Sequence, residues 1–395
     1  MSKTLLVLAA STYQIPAIET AKRLGYRVIT TDNIPSNPGH LLADASFGVN
    51  TIDIEGVLEL AAKENISGVI APGTDVAVTT AAYVADQLKL PGPPPNAARI
   101  LTHKQNFRIF LAKLGLPCPR AFLITSDEIA PAGLFDGRSW LIKPSRSSGS
   151  KGIFIIRSQA EFHAHIAESR AFSMDGTAVL EEFIEGTQHT YEGVMKDGKV
   201  VLALLTDRDT AAPPYTTTTG HRVPSRLSEP VQAKALRVIE EVLGSVGVVS
   251  GPFDCDFVAD GERIALIEIT PRLGGNSLSR LFKSAMDFDL VAYAVTHACG
   301  DAFPLPGPRP PKPSAITILG VDRPGRLSWN VVQEESLRRE SWVDTLLLDL
   351  PKGSTVTPFI NGRHRVGEAL ITGADRDEVD ARLLELKRRL ALTAV

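Results

Sequence analysis

The sequence predicts a mixed α/β and α+β protein built in lobes, opening with a parallel α/β lobe. Three observations carry this. The chain has 395 residues, too many for one core of ordinary size. Its N-terminal quarter alternates apolar runs with helically spaced stretches. Two proline-rich segments, Leu90–Asn96 (LPGPPPN) and Pro304–Pro313 (PLPGPRPPKP), then divide the remainder.

The elements follow in order. Thr4–Ala10 (TLLVLAA) is a continuous apolar run and reads as a buried parallel strand. Ile15 to Leu24 has helical spacing and stops at Gly25. Tyr26–Thr31 and Gly68–Ala71 read as further strands, with a helix at Ile54–Lys63 between them. Strand–helix alternation builds an open parallel sheet, and such sheets bind ligands at the carboxyl ends of their strands. That places Ser11, Thr12, Asp32, Thr74 and Asp75 near a site, although Thr74 and Asp75 could equally cap the next helix. No GxGxxG follows the first strand, so a dinucleotide cofactor is poorly supported. A helix carrying Ile100, Phe107, Leu111 and Leu114 leads into a second α/β region, and Asp375–Leu390 is a charged amphipathic helix. The expected units are residues 1–95, 96–304 and 305–395.

Composition narrows the function classes. With 44% hydrophobic and 22% charged residues and a net charge of -3, nothing marks a polyanion-binding surface, and no nucleic-acid partner is expected. The three cysteines, Cys118, Cys255 and Cys299, form no paired or metal-binding spacing, which suits a reducing compartment. The N-terminal apolar run is too short to span a bilayer. A cytoplasmic enzyme without membrane contact is the expectation.

Three segments carry chemistry. In Leu141–Ile153 (LIKPSRSSGSKGI) a strand ends at Lys143, and a loop of serines and glycines follows. Small residues let backbone N–H groups close on phosphate, and Lys143 adds a point charge. It is not a Walker A loop, because GxxxxGK[ST] is absent; a plain hairpin loop is the alternative. In Val179–Gly193 (VLEEFIEGTQHTYEG) acids flank the apolar pair Phe183-Ile184, a composition that suits an adenosine, or simply a wet strand pair. In Gly251–Asn276, Asp254 and Asp256 share one face of a strand, and Asp260-Gly261 signals a hairpin. As a regular strand, the partner puts Ile264, Leu266, Glu268 and Thr270 on one face. A two-residue loop at Asp260-Gly261 sets Asp256 across from Ala265. A three-residue loop sets Asp254 opposite Glu268, with Asp256 diagonal to it. Carboxylates that close repel unless a cation lies between them, and hard oxygen ligands suit Mg²⁺. Pro271-Arg272-Leu273-Gly274-Gly275 follows at once, an arginine and glycine turn suited to an anionic substrate.

In this order and spacing the segments resemble the ATP-grasp superfamily over about residues 1 to 300, and most of all its carboxylate–amine ligases that make dipeptides. The resemblance implies an ATP-grasp fold with a two-part grasp domain and a small C-terminal lobe. It implies that Lys104 and Lys143 hold nucleotide phosphates, with Ser147, Ser148, Gly149 and Gly152 in the loop over them. Glu181 and the backbone of Glu182, Phe183 and Ile184 would meet adenine. Gln188, or failing it Glu192, would take the ribose. Asp256 and Glu268 would bind Mg²⁺, or Mn²⁺ in its place. The family's third ligand, an asparagine two residues after the glutamate, is Thr270 here, so Asn276 or a water would stand in. Gly220-His221 before Pro224 and the Pro271–Gly275 run also match, so Arg272 and His221 would face the transferred phosphate, with Arg272, Gly274 and Gly275 on the substrate. The partners implied are a small-molecule carboxylate and an amine, with a homodimer as the family's common assembly. Gly362–Leu383 looks like the family's closing lobe, expected to add no chemistry. The expected reaction activates a carboxylate with ATP and joins it to an amine. The rivals are a bicarbonate-using carboxylase and a nucleotide-binding protein without turnover.

Overall fold

The computed structural model describes residues 2–126, 130, 133–307 and 309–395, so Pro308 of the second proline-rich segment lies outside the described residues. The N-terminal lobe is a four-stranded parallel sheet in the order Ala45–Phe47, Arg27–Thr31, Thr4–Leu8, Gly68–Ile70. Thr4–Leu8 is buried along its whole length, which is why its sequence is apolar without alternation. Leu5 and Val7 pack with Ile18 and Val295 on one face, while Leu6 and Leu8 pack with Val57 and Val78 on the other. The expected helix at Ile15 runs Ile15–Arg23, and Gly25 ends it at φ +87°, a left-handed turn that glycine adopts without strain. The three-residue strand Ala45–Phe47 was too short to read from periodicity.

After Leu90–Asn96 the expected single helix is two, Pro95–Leu101 and Lys104–Lys113. A four-stranded antiparallel sheet follows in the order Ala121–Ile124, Ala178–Glu182, Trp140–Pro144, Phe154–Ile156. Phe162 and Ile166 of the helix Gln159–Ala171 cover it.

The largest sheet has eight strands in the order Arg263–Thr270, Gly251–Asp260, Thr187–Lys196, Lys199–Thr210, Thr218–Val223, Ser314–Leu319, Gly367–Thr372, Val343–Leu348. Its last three strands come from the region after the second proline-rich segment, and Gly220 pairs with Thr317 across that junction. The sheet therefore continues through the expected boundary near residue 305. The helix Arg376–Leu390 packs Val379, Leu383 and Leu386 onto these last strands, with Asp375 as its N-cap.

The hairpin Gly251–Asp260/Arg263–Thr270 differs from both expected registers. Its loop is Gly261-Glu262, so Asp260 pairs with Arg263, and a bulge between Asp256 and Phe257 shifts the pairing. Asp256 then lies directly opposite Glu268, and Asp254 opposite Thr270. The bulge also corrects the expected facing. Ile264 and Leu266 point into the core with Ile269, whereas Ile267 and Glu268 both line the cleft described next. Among the described residues no helix is long and apolar enough to cross a membrane.

Candidate functional site

A cleft of about 1000 Å³ opens between the four-stranded sheet and the eight-stranded sheet, and the N-terminal lobe and the final region close its ends. One side is apolar, lined by Pro119, Leu141, Phe183, Ile184, Val258 and Ile267. Beside it the N–H groups of Glu182 and Phe183 are engaged by the carbonyls of Arg120 and Ser139 at 2.9 and 3.0 Å. The N–H of Ile184 makes no hydrogen bond among the described residues, leaving one donor free at the mouth of an apolar slot. A flat base with polar edges fits such a slot.

The cationic side holds Lys104 and Lys143 under Ser147, Ser148 and Gly149 of the loop. Lys143 ends the buried strand Trp140–Pro144, and its Nζ lies 2.7 Å from Glu181 on the neighbouring strand. Arg108, one helical turn after Lys104, grips the same carboxylate from 3.1 and 3.2 Å. Burial alone would raise the Glu181 pKa, but Arg108 and Lys143 hold it at about 2. Burial lowers the pKa of Lys143, and Glu181 opposes that shift. Both oxygens of Glu181 are thus engaged by cations, so its carboxylate orients Lys143 rather than standing free for adenine.

Opposite the lysines stand the acids of the bulged hairpin. Asp256 accepts from Thr190 Oγ1 at 2.6 Å and lies 3.3 Å from Arg208. Arg208 also donates to Gln188, which lines the cleft as expected. Desolvation deep in the cleft, with Asp75 and Asp256 nearby, pushes the pKa of Glu268 up to about 7. Burial also drives Asp254 well above the usual carboxylate range, and its Oδ1 has no hydrogen-bond partner among the described residues. Among the described residues Asp75, Asp254, Asp256 and Glu268 form ion pairs only with Arg208 and Arg272, and that local excess of carboxylates suits a bound divalent cation. No group of three or more His, Cys, Asp or Glu ligands forms among the described residues, so a cation there would complete its shell from phosphates and water. Thr270 is buried and is not among the residues that line the cleft, and its hydroxyl has no hydrogen-bond partner among the described residues. Asn276 does line the cleft.

Arg272 crosses between lobes. It is paired with Asp75 of the N-terminal lobe, lies 3.3 Å from Asp254 and 4.0 Å from Glu268. Asp75 is therefore not a helix cap; the helix begins at Val78, and Ala77 stands at its cap position. Ser11, Thr12 and Thr74 line the same end of the cleft. Asp32 does too, but its carboxylate is held by the N–H groups of Ala10 and Ile34 and by Asn37.

Five expectations need correction. His221 is buried, bonded to Thr206 Oγ1 at 2.9 Å, and does not line the cleft, because its strand turns that face inward. Glu192 is fully buried and accepts from Gly274 N at 2.7 Å, so it supports the glycine turn instead of a ribose. Gly274 likewise faces inward: a Cβ there would lie 2.8 Å from Asp254 Oδ1, while Gly275 does line the cleft. Gly152 closes the loop at φ +66°, where a Cβ would lie 2.9 Å from Phe172, and it lies outside the cleft lining. The final lobe, expected to add no chemistry, brings Asp349, Gly362, Arg363 and Arg365 into the cleft. Arg108, Arg208, Ile267, Arg363 and Arg365 had not been singled out. Arg108 alone had a signal, its spacing of one turn from Lys104.

The ATP-grasp domain family model matches residues 138–280. The uncharacterized protein y4rH of Sinorhizobium fredii is 25% identical over 255 residues, covering 63% of this chain and only 52% of that protein. The formate-dependent phosphoribosylglycinamide formyltransferase of Burkholderia pseudomallei is 27% identical over 399 residues, covering 95% of this chain and 92% of that one. The crystal structure of L-amino acid ligase from Bacillus licheniformis superposes with a TM-score of 0.82 at 18% identity, covering 100% of this chain and 98% of that chain.

Proposed function

We propose that this chain, whose residues 138–280 match the ATP-grasp domain family, is an ADP-forming ligase that activates a carboxylate with ATP and joins it to an amine. One observation carries the reading: Lys143 and Glu268, distant in sequence, line a single cleft with an apolar slot beside them. Lys104, Lys143 and the serine-glycine loop bind and orient the triphosphate. The Ile184 N–H and its apolar neighbours take the base. Asp256 and Glu268 would hold Mg²⁺ or Mn²⁺, which draws charge from the β and γ phosphates when bound. The substrate carboxylate then attacks the γ phosphorus in line, giving ADP and an acyl phosphate. The amine attacks the acyl carbon and expels phosphate. Arg272 stabilises the negative oxygens, held in place by Asp75 and Asp254. Positioning and charge stabilisation supply the rate in phosphoryl transfer. The loop keeps water from the acyl phosphate.

The test is ADP release screened against paired carboxylates and amines, with formate and L-amino acids in the acid panel and bicarbonate alone as a separate arm. ADP release should require both an acid and an amine. Lys143→Ala and Glu268→Ala should each lower it by on the order of a hundredfold or more. Full activity in either variant refutes the site assignment. Release with bicarbonate alone points to a carboxylase, and ATP binding without any ADP points to a protein without turnover.

A further inference from the structure

The serine-glycine loop has a defined root, and it lies outside the groups assigned so far. Ser145, fully buried, is the first residue after the strand of Lys143. Its Oγ donates to Asp175 Oδ1 at 2.6 Å. The same carboxylate oxygen accepts from Ser173 Oγ at 2.8 Å, from Thr177 Oγ1 at 2.8 Å and from Thr177 N at 3.1 Å. Backbone bonds follow the same seam: Ser145 N to Thr177 O at 3.1 Å, and Met174 N to Arg146 O at 3.1 Å.

The other oxygen of Asp175 faces a second element. His103 Nε2 lies 3.4 Å from Asp175 Oδ2, while His103 Nδ1 accepts from Asn106 N at 3.4 Å and caps the helix Lys104–Lys113. With Nδ1 an acceptor, the ring proton sits on Nε2, toward Asp175. Next to it, Lys104 N donates to Ser145 O at 3.1 Å. One carboxylate therefore ties the first residue of the loop to the first turn of the helix that carries Lys104.

We propose that Asp175 is a positioning residue for the phosphate end of the cleft, anchoring the root of the Ser145–Gly152 loop and, through His103, the helix start at Lys104. It touches no substrate itself. It fixes two elements that approach the triphosphate from different sides, so that Lys104 and the loop N–H groups converge without reordering when nucleotide binds. The inference rests on the nucleotide reading of the cleft.

The test compares binding of ATP and of adenosine by calorimetry, with amide exchange of residues 145–152, in the unaltered protein, Asp175→Ala and Asp175→Asn. Asp175→Ala should weaken ATP binding about tenfold or more, the loss expected for charge-assisted hydrogen bonds. Adenosine binding should stay unchanged, because the apolar slot is intact. Exchange should rise in the loop and stay slow in Ala178–Glu182. Asp175→Asn keeps an acceptor for Ser145 but loses the charge facing His103, so its ATP affinity should fall between the two; it decides the matter if Asp175→Ala does not fold. Equal loss of ATP and adenosine binding, or ATP binding as tight as in the unaltered protein in every folded variant, overturns the positioning role. An unaltered protein that binds neither ligand overturns the nucleotide reading as well, so the two failures are separable.

Discussion

His221 shows how burial redirects a residue that sequence context marks for chemistry. Its imidazole bonds to Thr206, and burial lowers its pKa to about 4 from the usual 6.5, with Asp256 opposing the shift. The unfolded chain takes up this proton first as pH falls. Stability from a neutral His221 is therefore full above pH 6.5 and drains away toward pH 4, by about 3 kcal/mol. His221→Asn should flatten the dependence of the denaturant midpoint on pH across that window; an unchanged slope refutes the buried neutral state. Glu181 makes the converse point. Its acidic character was legible, but its two cationic partners, Lys143 and Arg108, come from other elements and were not. A side chain's partners depend on what folds against it.

At the scale of elements the decisive feature is the bulge in the hairpin. Alternation in Arg263–Thr270 gives Ile264 and Leu266 one face, and a regular strand would turn Glu268 into the core with them. The bulge reverses that parity and sets Glu268 against Asp256. Arg108 holds it there, donating to the carbonyls of Ile267 at 2.7 Å and Leu266 at 3.4 Å while pairing with Glu181. Arg108→Met leaves Glu181 with one cation instead of two and frees the bulge carbonyls. Breaking a buried pair of this kind costs about 3–5 kcal/mol. Chemical denaturation should register a loss of that order, together with weaker Mg²⁺-dependent nucleotide binding. A variant as stable as the parent would show that the bulge holds itself. Nothing in the local sequence announces a bulge, since Ile267 and Glu268 read as ordinary strand residues.

At the scale of the whole molecule the final region is part of the main sheet rather than an appendage. Ser314–Leu319 pairs with Thr218–Val223, and Gly367–Thr372 and Val343–Leu348 extend the sheet beyond it. Three regions also meet at Gly362, whose N–H donates to Gly149 O at 3.2 Å and whose carbonyl accepts from Tyr13 OH at 3.2 Å. Removing residues 305–395 would strip the pairing partner from Thr218–Val223 and expose the apolar residues that Ile316 and Leu370 cover, among them Val223, Leu204 and Phe282. The truncated protein should be insoluble or lose its cooperative thermal unfolding. A soluble truncation that melts cooperatively would show that the sheet stands without its last three strands.

By itself the sequence determined what depends on short-range pattern. The continuous apolar run at Thr4–Leu8, the glycine stop after Arg23, the lysine before a serine-glycine loop and the acids flanking a hairpin each follow from neighbours within a few positions, and together they pointed to the fold and to the cleft residues on which the proposed chemistry rests. The tertiary structure alone decided which strand joins which sheet, where the ladder bulges, and which charged groups are engaged by one another instead of facing the cleft. The physical reason is range. Propensity and periodicity act along the chain, whereas register, burial and ion pairing are settled by contacts between residues such as Arg272 and Asp75, which meet only once separate lobes have packed together.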